Sequence, residues 1–203
     1  MHGAQACHFL KNNQLVSNAV VSDAGGKSPL ICADISPHGH EMVCKNGLQG
    51  LSKHLQDELY TIDQREYHLE FREVHNRIGQ WHQSGEPLRR AQILSWISNH
   101  PTHRLLLKVH PEIVFMKGHF PNRPILAGVV QVHWAVSIAM SIFGFSDTPT
   151  EIKRLKFKNI VQPPAVLELL LNQKRGKELD FQFTSQGKVH SSGCLALTGT
   201  MSC

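Results

Sequence analysis

An α+β fold, in which an antiparallel sheet wraps around one long central helix behind an N-terminal α/β appendage, is predicted by three observations. Residues 124–146 carry no Asp, Glu, Lys or Arg, and the stretch is long enough to be a buried helix. Beyond it, Ile152–Ile160, Val166–Leu171, Leu179–Thr184 and Lys188–Leu197 are strand candidates, separated by Pro-Pro, Arg-Gly and Gln-Gly breaks. The chain has 203 residues, 41% hydrophobic and 18% charged, which is apolar enough to bury a core and too apolar for a disordered tail.

Along the chain, residues 1–46 read as loops, with turn signals at 23–26 and at Ser36-Pro37-His38-Gly39, and only Leu15–Val21 reads as a strand. Leu48, Leu51, Leu55 and Leu59 recur at steps of three and four, which predicts an amphipathic helix from Gly47 to Leu59. Residues 67–74 alternate as a strand. Residues 89–100, with Ile93, Trp96 and Ile97 on one side, predict a short helix ended at Pro101. Arg104–Val109 is a strand. The central helix begins near Gly128 and runs to about Phe143, with Val129, Val132, His133, Val136, Met140 and Phe143 on one face by the three-and-four spacing.

Uncharged as it is, the 124–146 stretch contains Pro124, Gly128, Gln131, His133, Ser137 and Ser141 and is bracketed by globular sequence, so no membrane span is expected. The N-terminus lacks the apolar run of about seven or more residues that a secretory signal needs, and a cytosolic location is expected. Five widely spaced cysteines without a Cys-x-x-Cys indicate neither a disulfide framework nor a cysteine zinc site. His100 and His103 have no further ligands at supporting spacing, so no metal is assigned.

The formal charge is +5. From His100 onward there are 12 Lys and Arg against 6 Asp and Glu, so the basic excess lies in the second half and favours an acidic partner. Arg154, Lys156 and Lys158 fall on one face of a strand, and Leu155 and Phe157 on the other. No aromatic residues interleave on the basic face, so a single-stranded nucleic-acid platform is not expected.

The sharpest segment is Gly118-His119-Phe120-Pro121-Asn122-Arg123-Pro124-Ile125-Leu126-Ala127-Gly128. Prolines and glycines display His119 just ahead of a helix N-terminus, where unpaired N–H groups and the helix dipole favour negative charge. A base beside an anion-stabilising site suits this pattern, and so does an ordinary loop histidine.

The run GHFPNRPILAGVVQ resembles the signature of the hot-dog-fold 3-hydroxyacyl-acyl-carrier-protein dehydratases. With HWAV after it and LKFKNIVQP downstream, the stretch is most similar to the small aryl-polyene-type members. The resemblance spans about residues 100–200. It implies dehydration of a carrier-bound 3-hydroxyacyl thioester to the 2-enoyl thioester by a homodimer, with no metal or redox cofactor. His119 would be the base, the Gly128 N–H would polarise the thioester carbonyl, and Phe120, Ile125, Leu126 and Trp134 would line an acyl pocket, a set that core packing also explains. Acyl carrier proteins are acidic, so Arg123, Arg154, Lys156 and Lys158 would form the docking surface.

Two positions depart from the signature. Ala127 stands where a proline is usual, and His133 stands fourteen residues after His119, where the family has the acidic proton donor. A buried carboxylic acid stays protonated and can donate, whereas burial of a histidine lowers its pKa from about 6.5 and leaves a neutral imidazole, a poor acid. His133 therefore supports catalysis in another way or is a core histidine. A hot-dog thioesterase, an enoyl hydratase and a catalytically silent acyl-binding or scaffold subunit are the alternative expectations.

Residues 1–99, with Ser84-Gly85-Glu86 ahead of RRAQIL, resemble the C-terminal lobe of adenylate-forming acyl ligases. In those enzymes a catalytic lysine follows the glycine. Glu86 in its place implies a remnant unable to activate acids. The expected division is thus an appendage at 1–99 and a hot-dog domain at 100–203.

Overall fold

A computed structural model of the protein describes residues 2–22, 29–64, 66–72, 88–116, 123–145, 148–174 and 178–197. Two compact units divide at Val74/His75.

The first unit comprises α1 (His2–Asn12), β1 (Val16–Ser22), β2 (Leu30–Ile35), α2 (Pro37–Asp63) and β3 (His68–Phe71), with β2 antiparallel to β1 and parallel to β3. The expectation of loops over residues 1–46 is corrected here. Among its described side chains α1 buries Ala6 and Leu10, one turn apart, and so short a stripe leaves a weak periodic signal. β2 buries Ile31, Ala33 and Ile35 in strict alternation, but Cys32 and Asp34 between them read as turn composition. The turn signal at Ser36-Pro37 is the start of α2: the Ser36 hydroxyl accepts from the Gly39 N–H at 3.1 Å, and Pro37 takes the first helical position. α2 is kinked at Gly47 (φ 76°, ψ 170°), a conformation that only glycine adopts without strain. Leu51, Leu55 and Leu59 behind the kink are fully buried.

The second unit holds β4 (Gln92–Asn99), β5 (Thr102–Val109), α3 (Gly128–Phe143), β6 (Glu151–Phe157), β7 (Ala165–Gln173), β8 (Glu178–Ser185) and β9 (Lys188–Ala196). Its strands form one antiparallel sheet in the order β4-β5-β7-β8-β9-β6. Residues 89–100 are therefore not a helix: β4 pairs Trp96 with Leu105 and Asn99 with Thr102. A bulge between Ile93 and Ser95 breaks its alternation and mimics a three-and-four spacing, while Ile93, Trp96 and Ile97 are strand formers. The sheet thus takes in a strand on the N-terminal side of the 99/100 boundary expected from the sequence.

α3 packs on this sheet over Leu105, Leu107 and Val109 of β5, Leu167, Leu169 and Leu171 of β7, and Leu179, Phe181 and Phe183 of β8, each set alternating in sequence. The bounds of α3 agree with the expectation, but its phase does not. Val130, Gln131, Val132, Trp134, Ala135, Ile138 and Ala139 are buried, whereas Val129 is 71% exposed and His133 is exposed. A helix without charges is apolar on every side, so apolar spacing alone does not single out the buried face.

At the far end of α3, buried His103 accepts the Trp96 indole N–H on Nδ1 at 3.3 Å and meets Phe143 edge-on, with ring centroids 4.9 Å apart. Burial, and secondarily the nearby His100, lowers its pKa from the ordinary 6.5. The folded value lies below the unfolded one, so the associated stability is complete above pH 6.5 and is lost as pH falls through the folded value. Thermal melting between pH 7.5 and 5 should therefore fall more steeply for the wild type than for His103→Gln. Equal slopes would show that His103 carries none of the effect.

Candidate active site

Residues 117–122, and with them His119 and Phe120, lie outside the described residues, as does Ser84-Gly85-Glu86. The segment from Arg123 into α3, directly after the histidine motif, is described. Arg123 is exposed, its guanidinium 3.5 Å from the Gln162 Oε1. Ile125 is half-buried and Leu126 is buried, and the Leu126 N–H donates to the Val161 carbonyl at 2.9 Å. Ala127 occupies the N-cap of α3 with no side-chain cap. The Val130 and Gln131 N–H groups both turn back to the Ala127 carbonyl, at 3.1 and 3.3 Å. Among the described residues no acceptor meets the N–H of Gly128 or Val129.

These two amides border a cavity of about 330 Å³ whose lining includes Ile125, Gly128, Val129, Phe157, Lys158 and Ile160. The Phe157 ring lies directly over Gly128, where an added Cβ would come within 2.7 Å of Cδ1 and Cζ. Glycine is thus needed for close approach. Of the expected pocket residues, Ile125, Leu126 and Gly128 meet at this cavity, while Trp134 is 1% exposed within the core between α3 and the sheet. Among the described residues its indole N–H has no hydrogen-bond partner.

His133 is exposed on α3, not buried on an apolar face, so neither a desolvated imidazole nor a core histidine describes it. One turn before it stands Val129. Val129 shares the cavity with exposed Phe157 of the edge strand β6 and with Ile160 beyond it, at 67% exposure, and Ile152 and Leu155 are exposed elsewhere on β6.

The three basic residues of 154–158 are divided. A register shift between Lys153 and Lys156, with Arg154 in the left-handed region at φ 53°, breaks the alternation, and β6 ends at Phe157. Arg154 and Lys156 line a second cavity with Asp180, Gln182 and Ser192, whereas Lys158 borders the cavity at Gly128. Arg154 is paired with Asp180 at 3.1 Å, and Lys174 reaches the same carboxylate at 2.5 Å. Burial pushes the Asp180 carboxyl up, but the Lys174 hydrogen bond and the Arg154 charge outweigh it and hold the group below its ordinary 3.8.

Sequence reasoning missed Gln131. It is 3% exposed, accepts the Ser191 hydroxyl at 2.7 Å and donates to the Leu126 carbonyl at 3.2 Å. A polar residue inside an otherwise apolar helix was the available signal.

Residues 96–194 match the ApeI-like family, described as ApeI dehydratase. No curated protein matches the chain. Among solved structures, the dehydratase heterocomplex ApeI:P from Xenorhabdus doucetiae is similar at 24% identity and a TM-score of 0.50, over 54% of this chain and 99% of that one. An uncharacterized protein from Erwinia carotovora subsp. atroseptica is 27% identical over 54% of this chain and 94% of its own, with a TM-score of 0.45. The dehydratase domain of MlnD from Bacillus amyloliquefaciens is 16% identical, with a TM-score of 0.41, over 55% of this chain and 44% of that one. No described helix is long and apolar enough to cross a membrane. The second unit therefore has the hot-dog fold and, over residues 96–194, is similar to the ApeI-like dehydratases.

Proposed function

We propose that the protein dehydrates a 3-hydroxyacyl thioester carried on an acyl carrier protein. The observation that carries this reading is the cavity at the uncapped, glycine-led start of α3, the helix that follows the His119 motif in sequence. The Gly128 N–H polarises the thioester carbonyl, which acidifies the α-hydrogen. His119 takes that proton. The Cα–H electron pair forms the Cα=Cβ bond, and the β-hydroxyl leaves as water with a proton delivered from His133, which must be protonated to donate it. Ile125, Leu126 and Phe120 hold the acyl chain, with Trp134 behind them.

Exposed Val129 and His133 and the apolar edge strand β6 support a homodimer in which a second copy covers this surface and His133 works across the interface. The reaction belongs to the cytosol, in fatty-acid-like or polyene synthesis. The appendage expected at residues 1–99 is read as an acyl-ligase-like remnant, apart from β4, which joins the sheet of the second unit. Mass spectrometry of a 3-hydroxyacyl carrier protein incubated with the protein should show loss of water. Thioester hydrolysis would make it a thioesterase, and no change would leave an acyl-binding subunit.

Arg123, Lys156 and Lys158 are exposed and suit an acidic carrier, with Arg154 tied to Asp180 at their side. Arg123→Glu with Lys156→Glu should raise KM for the carrier-borne substrate and hardly affect a short soluble thioester. Salt should weaken carrier affinity, because exposed charges are screened over about 8 to 10 Å. Equal effects on both substrates would remove this surface from docking.

A further inference from the structure

We infer that Gln131 is a positioning residue that holds the first amides of α3 in place for the thioester carbonyl. The inference rests on the proposed dehydration. Burying a primary amide inside an apolar helix is unfavourable unless both of its ends are satisfied. Both are: Ser191, 0% exposed, donates to Oε1 at 2.7 Å, and Nε2 donates to the Leu126 carbonyl at 3.2 Å.

The second bond is the informative one. Leu126 precedes the helix, so no α-helical hydrogen bond reaches its carbonyl, and its N–H is already held by Val161 at 2.9 Å. Both backbone polar groups of residue 126 are thus tied, one to the segment after β6 and one through Gln131 to β9. Two residues later come Gly128 and Val129, whose amides have no acceptor among the described residues and which line the cavity beside Phe157. A fixed elbow followed by unspent donors is the arrangement that electrostatic stabilisation requires, since the donors need no reorganisation as charge develops. Gln131 also lines this cavity, but its oxygen and one of its amide hydrogens are committed to Ser191 and to the Leu126 carbonyl, so its part is to set the direction of the amides.

The test compares wild type, Gln131→Met, Ser191→Ala and a core variant, Phe183→Leu, on a 3-hydroxyacyl carrier substrate, with melting temperatures and amide hydrogen exchange. Gln131→Met should lower kcat by about 10- to 10²-fold, the scale of a small misplacement of catalytic groups, with KM little changed. Exchange at the Leu126 amide should be faster. Ser191→Ala, which leaves the bond to Leu126, should fall between Gln131→Met and wild type. Phe183→Leu should keep wild-type kcat at a similar loss of melting temperature. Wild-type kcat in Gln131→Met, or a kcat loss equal to that of Phe183→Leu, overturns the inference. Should Gln131→Met fail to fold, Ser191→Ala decides by the same two readouts. Should the wild type not dehydrate, the proposed function fails, and exchange at Leu126 alone judges Gln131: faster exchange upholds the tether and unchanged exchange removes it.

Discussion

His119→Ala is expected to lower the rate of dehydration by about 10²-fold or more, the usual scale for a general base. The expectation comes from the place of His119 in Gly118-His119-Phe120-Pro121, nine residues before a helix start whose first two amides have no acceptor among the described residues. Mass spectrometry of the carrier-bound product measures it directly. Melting temperature and α3 amide exchange show that the variant is folded. A folded variant that releases water at the wild-type rate would remove His119 from the mechanism.

The second large effect is expected at His133. His133→Leu should abolish dehydration to a similar extent, because no proton then reaches the leaving hydroxyl, while His133→Glu should hold or raise the rate by supplying the carboxylic acid usual at this position. The side chain is exposed on the single chain, so neither change should alter the stability of the unpaired second unit by more than about 0.5 kcal/mol, and any change in dimer affinity is read separately from the oligomeric state. That separates the pair from core substitutions, which lower activity and melting together. Full activity in His133→Leu would show that the proton comes from elsewhere. The glutamate variant should also shift the alkaline limb of the pH–rate profile, where the proton donor is lost, since a carboxylic acid and an imidazolium lose their protons in different ranges.

Much of the second unit was legible because its signals were unmixed. α3 begins at Gly128 and ends at Phe143 before Gly144 in the left-handed conformation (φ 67°), and an uncharged run bounded by two glycines marks both ends. β7 and β8 alternate in burial because one face of each packs under α3, whereas β5 buries Leu105, Leu106 and Leu107 in succession. β4 was misread because a bulge gives a strand the spacing of a helix. The phase of α3 was misread because valine and isoleucine occupy its exposed side as well as its buried one. In the site, the motif located the elbow and Gly128. It could not reveal that Phe157, twenty-nine residues on, closes over that glycine, or that Ser191 of β9 anchors Gln131, because those contacts are made by the sheet order and not by neighbours in sequence.

The sheet order also governs how the domain is assembled during synthesis. β6 is paired only with β9, the last of the described strands, and not with β7, which follows it in the chain. Ile152, Leu155 and Phe157 therefore emerge from the ribosome on a strand that has no ladder to join until the β8–β9 hairpin has been made, and they wait as an apolar, unpaired edge. The hairpin turns through Gln186 (φ 46°) and Gly187 (φ 75°), both in the left-handed region. Closure of the sheet, and with it the seating of Phe157 over Gly128, is the final act of this domain's folding, and a defect in that distant turn would leave the nascent chain with its stickiest strand uncovered.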